Sequence, residues 1–527
     1  MVGKGVNVTV GTSATPLEKF TFDPAVTDPE AAAQAVAEAA RGSRKPVLAA
    51  WLGDINPNAS RRMLESRGIP NFYTPENAIE AFSFLCAYRR NQAQLMQAPP
   101  AARLDERAPD LGAAAAIRAR ALAERRTLLS EHESKALLAA FHLPAPRSVV
   151  VSGKDQAVQA ADAMGYPVVL KIHSPDITHK SDAGGVRLDL RDAAMVAAAY
   201  DDMMRQVRSL RPQARLEGAL LQPMLRFAHA REVLVGVATD AVFGPVISFG
   251  SGGVAVEALR DTAVALPPLN APLAHDLMQR TRVHRLLAGY RDVPPADLDA
   301  LGEILVGVSR MVCALPWLVE MDLNPVLAHA GGAVIADARV VVDIERREFA
   351  PRYGHMAIHP YPRELEAEVR TRDGRAVRVR PIRPEDAERE MRFFAGLSAH
   401  SRYQRFMQYL STLSERMLAR FTQLDYDREL ALVALWEDEF VAVGRYAPNE
   451  DGVTAEFALV VADDWQGKGL GRALLERLCD AARAAGYRAL YGEILHANRD
   501  MLELAAHVGF TEESREGDSV TVVRPLT

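Results

Sequence analysis

The last quarter of the chain carries the clearest hydrophobic patterns. Short apolar runs there predict strands, and apolar positions spaced three and four residues apart predict helices. Three strands, a helix, a fourth strand and a second helix follow one another at 430–435, 440–446, 455–461, 473–485, 489–494 and 500–508. Turn residues at 448–452 separate the second strand from the third. This order predicts an α/β domain built on a meander of strands.

A second alternation, of single strands with helices, runs through residues 24–97. The predicted helices and strands follow one another at 31–41, 46–51, 59–67, 69–72 and 75–89. Because strands joined through helices pair in parallel, this region predicts a parallel sheet with helices on both faces. Residues 1–23 are rich in Gly, Thr and Val, predict at most a strand, and stay an unassigned segment.

Length and composition limit the class of protein. A chain of 527 residues predicts three or four domains of about 150 residues each. Polar stretches that contain prolines, at 98–124 and 344–365, predict the linkers. The net charge of -6 gives no basic surface for nucleic acid. The three cysteines lie far apart in apolar stretches and are expected to be buried thiols: Cys86, Cys313 and Cys479.

The hydrophobic pattern also bears on location. No apolar run reaches membrane-spanning length, and the first residues do not form a secretion signal. We therefore expect a cytoplasmic protein without membrane association. The cysteine usage agrees with a reducing compartment.

A glycine-rich turn follows the third strand of the meander and opens the next helix. Its residues are Gln466, Gly467, Lys468, Gly469, Leu470, Gly471 and Arg472. Glycines let a backbone approach a ligand closely, and unpaired N–H groups at a helix start face an anion, so the turn predicts a phosphate site. Its Q-x-x-G-x-G spacing differs from the Lys-Ser/Thr ending of a nucleotide P-loop. A plain strand-to-helix connection is the alternative.

This turn, the meander before it and the HANRDM...GF ending resemble the GNAT N-acetyltransferases over residues 366–527. The resemblance implies that the turn holds the diphosphate of acetyl-CoA on backbone amides. It also implies that a backbone N–H near Val460 and Val461 stabilises the oxyanion. Asn498 would bind the pantetheine, although capping of the next helix explains it equally well. Many GNAT enzymes carry a Tyr general acid where this chain has Ala505.

Two further features resemble the Pat-type bacterial protein lysine acetyltransferases. One is the S-x-x-x-R-Y-x-R-F stretch that starts at Ser398, to which we assign no catalytic role. The other is Glu456, on the strand before the turn, in the position of that family's catalytic glutamate. A lysine ammonium has no lone pair until it loses its proton, so the resemblance implies that Glu456 is the general base. A surface carboxylate at a strand edge is the alternative.

Five ordered motifs between residues 125 and 343 resemble the ATP-grasp domain of NDP-forming acyl-CoA synthetases: LSEHESKALLAAFHLPAP, GYPVVLKIHSPDITHKSDAGGVRLDL, FGPVISFGSGGVAVEALRD, EMDLNPVL and ADARVVV. The resemblance implies an α+β domain that binds ATP. Lys171 would meet the phosphates, and the Gly184-Gly185 turn would close over them. Glu232 and Glu257 are further carboxylates that would face the nucleotide. A strand-end lysine with its charge in solvent is the alternative for Lys171.

The same resemblance implies a magnesium site. Asn324 and Asp337 stand where the family's ligands stand, and Mg²⁺ takes hard oxygen ligands together with phosphate oxygens and water. A turn residue before Pro325 and a helix cap are the alternatives. His179 lies where a family histidine relays phosphate, and a surface histidine explains it equally well.

Residues 24–97 resemble part of the flavodoxin-like, succinyl-CoA-ligase-like domain of the same synthetases, through KPVLAAWLG and RGIPNFYTPENAIEAF. We recognise neither the CoA-binding Rossmann domain that precedes it in the family nor the phosphohistidine loop. A partner CoA-binding subunit that brings the phosphohistidine is therefore expected for any ligase activity. A homo-oligomer is the alternative assembly.

Together these patterns indicate an α/β multidomain protein whose last domain is an acetyl-CoA-dependent N-acetyltransferase acting on protein lysine, such as that of an acyl-CoA synthetase. The ATP-grasp region would bind ATP and Mg²⁺ or regulate the transferase. One alternative is an ATP-grasp subunit of a ligase, and another is a non-catalytic ligand-sensing scaffold. The acceptor protein, the acyl-chain preference, the state of the ATP-grasp site and the oligomeric state stay open. Small amines also remain possible acceptors.

Overall fold

A computed structural model describes residues 6–12, 15–22, 29–43, 45–50, 57–101, 108–177, 180, 182–253, 261–343, 345 and 353–526. The contacts divide the chain into two compact units, Met1–Gln97 and Ala98–Thr527, and each is considered by itself. Among the described helices, none combines the length and the apolar character needed to cross a membrane.

The first unit contains a hairpin followed by alternating helices and strands. Its elements are β1 Val6–Thr12, β2 Thr15–Phe22, α1 Pro29–Ala40, β3 Ala49–Ala50, α2 Pro57–Ser66, β4 Asn71–Phe72 and α3 Pro75–Leu95. β1 and β2 pair antiparallel, whereas β3 and β4 pair in parallel, as the alternation predicted. A small core of alanines with Leu64 and Ile69 lies beside this pair.

The last helix of this unit differs from the prediction for its cysteine. α3 begins at Pro75 after an N-cap from Thr74, and its described side chains include no buried one. Cys86 is therefore exposed, and the expectation of a buried thiol is wrong there. Cys313 and Cys479 are buried as expected. The apolar residues of this helix do not form one buried face. Their spacing along the sequence therefore did not tell which side chains face solvent.

The middle region, residues 108–343, begins with two helices and a four-stranded sheet. The elements are α4 Leu111–Ala123, α5 Glu131–Ala140, β5 Val149–Val151, α6 Lys154–Met164, β6 Val168–His173, β7 Val186–Leu190, α7 Ala193–Leu210 and β8 Gly218–Pro223. The sheet order is β5-β8-β6-β7 with antiparallel pairs throughout. α5 begins with a capping box in which Ser130 and Glu133 exchange hydrogen bonds.

A larger sheet completes the middle region. Its elements are β9 Arg231–Asp240, β10 Gly244–Ser251, β11 Thr262–Ala265, α8 Ala271–Gln279, α9 Val283–Leu287, α10 Leu298–Ala314, β12 Leu318–His329, β13 Gly332–Ile335 and β14 Arg339–Val342. The strands run in the order β11-β10-β9-β12-β13, and β14 pairs with β12. Along β12, Met321 and Leu323 are buried while Asp322 and Asn324 point to the opposite face, because side chains alternate on a strand.

The C-terminal region, residues 353–526, is built on one eight-stranded sheet. Its elements are β15 Ala367–Arg370, β16 Ala376–Pro381, α11 Ala387–Gly396, α12 Ala399–Phe406, α13 Glu415–Thr422, β17 Leu430–Trp436, β18 Glu439–Pro448, β19 Thr454–Val461, α14 Leu470–Ala484, β20 Ala489–Leu495, α15 Arg499–His507, β21 Thr511–Glu516 and β22 Ser519–Pro525. The strands run in the order β15-β16-β17-β18-β19-β20-β22-β21. The sheet is antiparallel except between β19 and β20.

The predicted meander, both predicted helices and the fourth strand are all present in this region within a few residues. The terminal hairpin of β21 and β22 was not predicted. Every side chain of β21 is exposed, so the strand lacks the alternation of buried and exposed residues on which such a prediction depends.

A buried ion pair stabilises the start of this region. Both guanidinium Nη atoms of Arg380 donate to the two carboxylate oxygens of Asp386 at 2.7 Å, and the two side chains are 4% and 0% exposed. Burial raises the pKa of Asp386, but the hydrogen bonds and charge of Arg380 outweigh it, so the net pKa is lowered. The pair joins β16 to the segment that leads into α11.

We expect Asp386→Ala to destabilise the C-terminal region by about 3–5 kcal/mol, because it leaves the Arg380 charge buried without its partner. Hydrogen exchange of the β16 and β17 amides, read by mass spectrometry, would measure the change. Arg392→Ala is the matched control. It removes an exposed pair with Glu439 at 2.8 Å and should cost less than about 1 kcal/mol. Equal loss of protection in both variants would contradict the role of the buried pair.

Candidate functional site

The main cleft of the C-terminal region lies where β19 and β20 separate. The two strands pair in parallel only from Thr454 to Glu456, opposite residues 489–491. Beyond Glu456 they diverge and leave a cleft of about 730 Å³ that β19, β20, α12, α14 and α15 line. Among the described residues, the edge of β19 that faces the cleft therefore has no paired strand beyond Glu456.

Phe457 and Gly492 lie side by side where the two strands part. The Phe457 ring occupies the space beside Gly492, so a Cβ on residue 492 would come within 2.3 Å of that ring. The ring also packs against Phe510, with centroids 4.9 Å apart. A glycine is therefore required at this position, since any side chain would displace the ring.

The glycine-rich turn lies at one end of this cleft. Gly467 and Gly469 have φ angles of +73° and +93°, a conformation that favours glycine. Gly469 is the N-cap of α14, and no side chain caps the helix there. The first N–H groups of α14 therefore stay open to the cleft, as an anion site at a helix start requires.

The other side chains of the turn have contacts of their own. Gln466 donates to the Val461 carbonyl at 3.2 Å and to the Ser401 hydroxyl at 3.3 Å. Lys468 pairs with Asp373 at 3.3 Å, and Arg472 pairs with Glu476 at 2.8 Å. Leu470 is buried in the core, and Gly471 lies where a Cβ would be 3.1 Å from Leu504. The charged side chains of the turn are therefore paired with carboxylates, and three of its glycines line the cleft: Gly467, Gly469 and Gly471.

Glu456 lies at the point where the strands part, with its side chain in the cleft. The residue is exposed, as the surface alternative expected, but partial desolvation in the cleft raises the pKa of its carboxyl, the Glu493 carboxylate across the cleft raises the pKa further, and the Arg405 guanidinium opposes both. The pKa is raised overall, which brings the carboxyl closer to the range in which it accepts a proton near neutrality. Val460 and Ala458 lie on the same face of β19 as Glu456.

The amides near the end of β19 point in alternate directions. Ala462 N–H donates to Val441 O at 2.9 Å. In an antiparallel ladder every second residue bonds to the same neighbour, so the Val460 amide also faces β18. The Val461 amide then faces the cleft. Of the two amides expected to stabilise the oxyanion, the one on Val461 is therefore the candidate, and the one on Val460 is not.

The S-x-x-x-R-Y-x-R-F stretch forms α12 and is attached to the turn through one carboxylate. Asp463 accepts hydrogen bonds from the Ser398 N–H at 2.8 Å, the Ser398 hydroxyl at 2.8 Å and the Ser401 hydroxyl at 2.7 Å. Burial raises the pKa of Asp463, but these hydrogen bonds outweigh it and the pKa is lowered. α12 thereby brings Arg405 and Phe406 to the cleft wall.

Asn498 lines the cleft and caps α15. Its Oδ1 accepts the Met501 N–H at 3.2 Å, so capping explains this residue type without a ligand. Ala505 is buried in the core. No phenol hydroxyl is present at that position, so a proton for a leaving thiolate would have to come from water or another group.

A second cluster lies in the middle region around one buried carboxylate. Glu131 Oε1 accepts from Lys171 at 2.6 Å and from Lys135 at 2.9 Å, and Glu131 Oε2 accepts from Lys180 at 2.8 Å. Burial raises the pKa of Glu131, but the three lysines outweigh it and the pKa is strongly lowered. Lys135 also donates to the Gln222 amide oxygen.

Lys171 connects the two sheets of the middle region. It lies on β6, and its ammonium is 3.5 Å from Asp337, between β13 and β14. Gly185 donates its N–H to Lys180 O and accepts one from Ile172, each at 2.7 Å, which holds the Gly184-Gly185 turn beside β6. The fold therefore brings three lysines, from a strand, a helix and a loop, and a glycine turn to one place, a suitable arrangement for the phosphates of a nucleotide.

The candidate metal ligands lie on the larger sheet. Asn324 Oδ1 accepts the Gly253 N–H at 2.9 Å, and the Glu232 carboxylate lies beside the same glycine. Asn324 is part of β12, not of a turn. Asp322 points to the same face, and its buried Oδ1 has no hydrogen-bond partner. Burial and nearby carboxylates raise the pKa of Asp322, although Arg339 lowers it.

These oxygens fit magnesium. Within the described part of the chain, no three acidic, histidine or cysteine side chains converge on one point. Asn324, Asp337 and Asp322 supply hard oxygens that would hold Mg²⁺ only together with phosphate oxygens and water, and the ion would supply charge neutralisation at the phosphates. His179 and Glu257 lie outside the described residues.

The sequence did not predict five residues of these two sites: Glu131, Lys135, Lys180, Asp322 and Asp463. Glu131 and Lys135 stand four apart in LSEHESK, a spacing that places them on one helix face. Asp322 stands two before Asn324, the strand spacing for one face. Asp463 had no such signal, because its partners lie 62 and 65 residues earlier.

Comparisons with known proteins identify the two domains that contain these residues. A model described as ATP-grasp domain matches residues 120–342, and one described as acetyltransferase (GNAT) family matches residues 398–510. The beta subunit of an ADP-forming acetate–CoA ligase of Pyrococcus furiosus is 36% identical over 42% of this chain and 95% of that subunit. The chain joins an ATP-grasp domain of the NDP-forming acyl-CoA synthetase family to a GNAT acetyltransferase domain.

Other relatives cover the two domains separately or extend beyond them. An acetyltransferase of Pseudomonas aeruginosa is 37% identical over 29% of this chain and 85% of that protein. An ADP-forming acetate–CoA ligase of Archaeoglobus fulgidus is 34% identical over 57% of this chain but only 43% of its own length, so the chain spans less than half of that ligase. The crystal structure of the GNAT domain of S. lividans PAT is 36% identical, covers 31% of this chain and 99% of its own, and gives a TM-score of 0.31.

We expect Gly469→Val to weaken acetyl-CoA binding by the GNAT domain at least about 10-fold while nucleotide binding stays unchanged. A β-branched residue at φ +93° costs about 1–2 kcal/mol or more, and its side chain would cover the open amides. Calorimetry with each ligand would measure both affinities. Gly452→Val is the control, because Gly452 has φ +65° in a turn outside the cleft. Loss of nucleotide binding in the Gly469 variant would contradict two separate sites.

Proposed function

We propose that the chain is an acetyl-CoA-dependent N-acetyltransferase that acetylates lysine side chains of proteins, such as an acyl-CoA synthetase. The observation that carries the proposal is the position of Glu456, in the cleft where β19 and β20 part and on the strand that leads to the glycine-rich turn. The turn would hold the diphosphate, and the strand amides would hold the thioester. Glu456 then lies beside the acyl group.

The charges around the cleft favour a cationic acceptor. Glu456 and Glu493 project into it from the two diverging strands. An ammonium that enters between them is attracted by both carboxylates, and one of them can take its proton. This supports an amine acceptor over a hydroxyl. The resemblance of α12 and Glu456 to the Pat-type enzymes favours protein lysine among amines.

Glu456 removes a proton from the acceptor ammonium, which frees the nitrogen lone pair. The nitrogen forms a bond to the thioester carbon, the C–S bond breaks to release the CoA thiolate, and the nitrogen gives up its second proton to water or to that thiolate. The Val461 amide stabilises the negative charge on the carbonyl oxygen between these steps. The thiolate is a good enough leaving group that a Tyr in place of Ala505 is not required.

We expect Glu456→Gln to lower kcat by about 10²- to 10⁴-fold, because the amide cannot accept the proton. The affinity for acetyl-CoA should stay within about twofold, since the diphosphate and thioester contacts are backbone contacts. Transfer of labelled acetyl groups to an acyl-CoA synthetase and calorimetry with acetyl-CoA give the two values. Turnover near the wild-type rate in this variant would remove Glu456 from the mechanism.

The pH profile separates the base from its neighbour. Because Glu456 acts only when ionised and its pKa is raised, kcat/KM of the wild type should fall as the pH drops through that raised value. Glu493→Gln removes a charge that raises this pKa, so the acid limb should move to lower pH while turnover at neutral pH persists. An unchanged acid limb would contradict the interaction between the two carboxylates.

The second candidate is an ATP-dependent acyl-CoA ligase function of the ATP-grasp domain. The cluster of Lys171, Lys135 and Lys180 around Glu131, with Asp337 beside Lys171, favours a working phosphate site. The ligase would need a separate polypeptide that supplies CoA binding and the phosphohistidine. Without one, nucleotide binding would serve to regulate the GNAT domain.

We expect ADP formation from ATP, CoA and acetate only when a CoA-binding synthetase subunit is added. Lys171→Met should abolish that ADP formation and leave acetyl transfer unchanged, because it removes the ammonium that meets the phosphates. A coupled ADP assay measures the first effect and labelled acetyl transfer the second. Nucleotide binding without ADP formation, together with an altered acetylation rate, would favour the sensing scaffold instead.

A further inference from the structure

The tip of the β15–β16 hairpin contacts the glycine-rich turn. The Arg372 N–H donates to Lys468 O at 3.0 Å, and the Arg372 guanidinium donates to Gly467 O at 3.4 Å. The aliphatic part of Arg372 runs beside Gly469, where a Cβ on the glycine would lie 3.7 Å from Arg372 Cγ. A residue 95 positions upstream of Gly467 thus belongs to the same cleft wall.

The two cationic side chains within the turn already have acidic partners, although Arg472 also lines the cleft. The Lys468 ammonium pairs with Asp373 at 3.3 Å and lies 5.1 Å from the centre of the Trp465 ring. Arg472 pairs with Glu476 on its own helix. Asp373 is held by Thr371 and Lys468, and these contacts lower its pKa. The Lys468 side chain therefore links the glycine-rich turn to the β15–β16 hairpin.

We propose that Arg372 is the cationic side chain that binds the diphosphate of acyl-CoA, beside the amides of the glycine-rich turn. This rests on the proposed function, which places acyl-CoA in this cleft. Amides supply hydrogen bonds but only partial charges, whereas a guanidinium supplies a full charge and several donors in a planar fork. Arg372 lines the cleft, and its protein contact is a single long hydrogen bond to a carbonyl. A diphosphate oxygen is a stronger acceptor than that carbonyl.

The hairpin also gives Arg372 a defined position. Its backbone is tied to the turn through Lys468 O, and the neighbouring Arg375 stacks over Trp436 and Trp465 at 5.6 and 5.0 Å. The guanidinium therefore starts from a fixed backbone, which reduces the entropy lost on binding. The amides of the turn and Arg372 together form a site for a diphosphate rather than for a single charge.

Calorimetry with the full chain tests the proposal with CoA and dephospho-CoA. We expect Arg372→Gln to weaken both about 10- to 100-fold, because both carry the diphosphate. Arg372→Lys should recover part of the loss, since charge returns without the fork. The loss should shrink at high salt, because the interaction is exposed. Arg370→Gln, at an arginine 75% exposed on the same hairpin, should leave both affinities unchanged.

Three results would overturn the assignment. Wild-type affinity of Arg372→Gln for CoA would show that the turn alone binds the diphosphate. A loss with CoA but not with dephospho-CoA would move the contact to the 3′-phosphate. An equal loss in Arg370→Gln would indicate a general surface charge effect. Failure of the wild type to bind CoA at all would instead reject the proposed function, so the two failures are distinguishable.

Discussion

The limited pairing of β19 with β20 is the constraint on which the C-terminal site depends. Parallel strands that stayed paired would satisfy one another's amides and leave no room for a thioester between them. Here the pairing ends at Glu456, and the Phe457 ring lies against Gly492 at that point. The same divergence that opens the cleft exposes the Val461 amide and places two carboxylates across from each other. One packing contact thereby sets both the shape and the charge of the site.

The local part of this arrangement was predictable from sequence. Alternation gave the strands of the meander, and glycines before a helix gave the turn, because both signals lie within one short segment. The attachments of the turn were not predictable in the same way. Asp463 reaches back to Ser398, and Arg372 reaches forward to Gly467, across 65 and 95 residues. No spacing rule joins positions so far apart, because only the folded sheet brings them together.

In the middle region too, residues within one short motif were predictable and contacts between distant segments were not. The motifs of the resemblance predicted Lys171, Asn324 and Asp337 as site residues, since each stands in a short recognisable sequence context. The lysine cluster was missed because Lys171 and Lys180 lie 40 and 49 residues after their common partner Glu131, although Lys135 stands only four residues from it. The prediction that Cys86 is buried was wrong for a different reason. A helix can carry apolar residues without burying them, so composition alone does not tell which side of it meets a core.

In the ATP-grasp domain, the Glu131 carboxylate occupies the position between the lysines that a phosphate group would otherwise take. Three ammonium groups that would repel one another share its carboxylate, which reduces their repulsion before any phosphate arrives. A nucleotide must then compete with a side chain already in place. An anion with several charges would gain more from that exchange than an anion with one, because each added charge attracts the three ammonium groups.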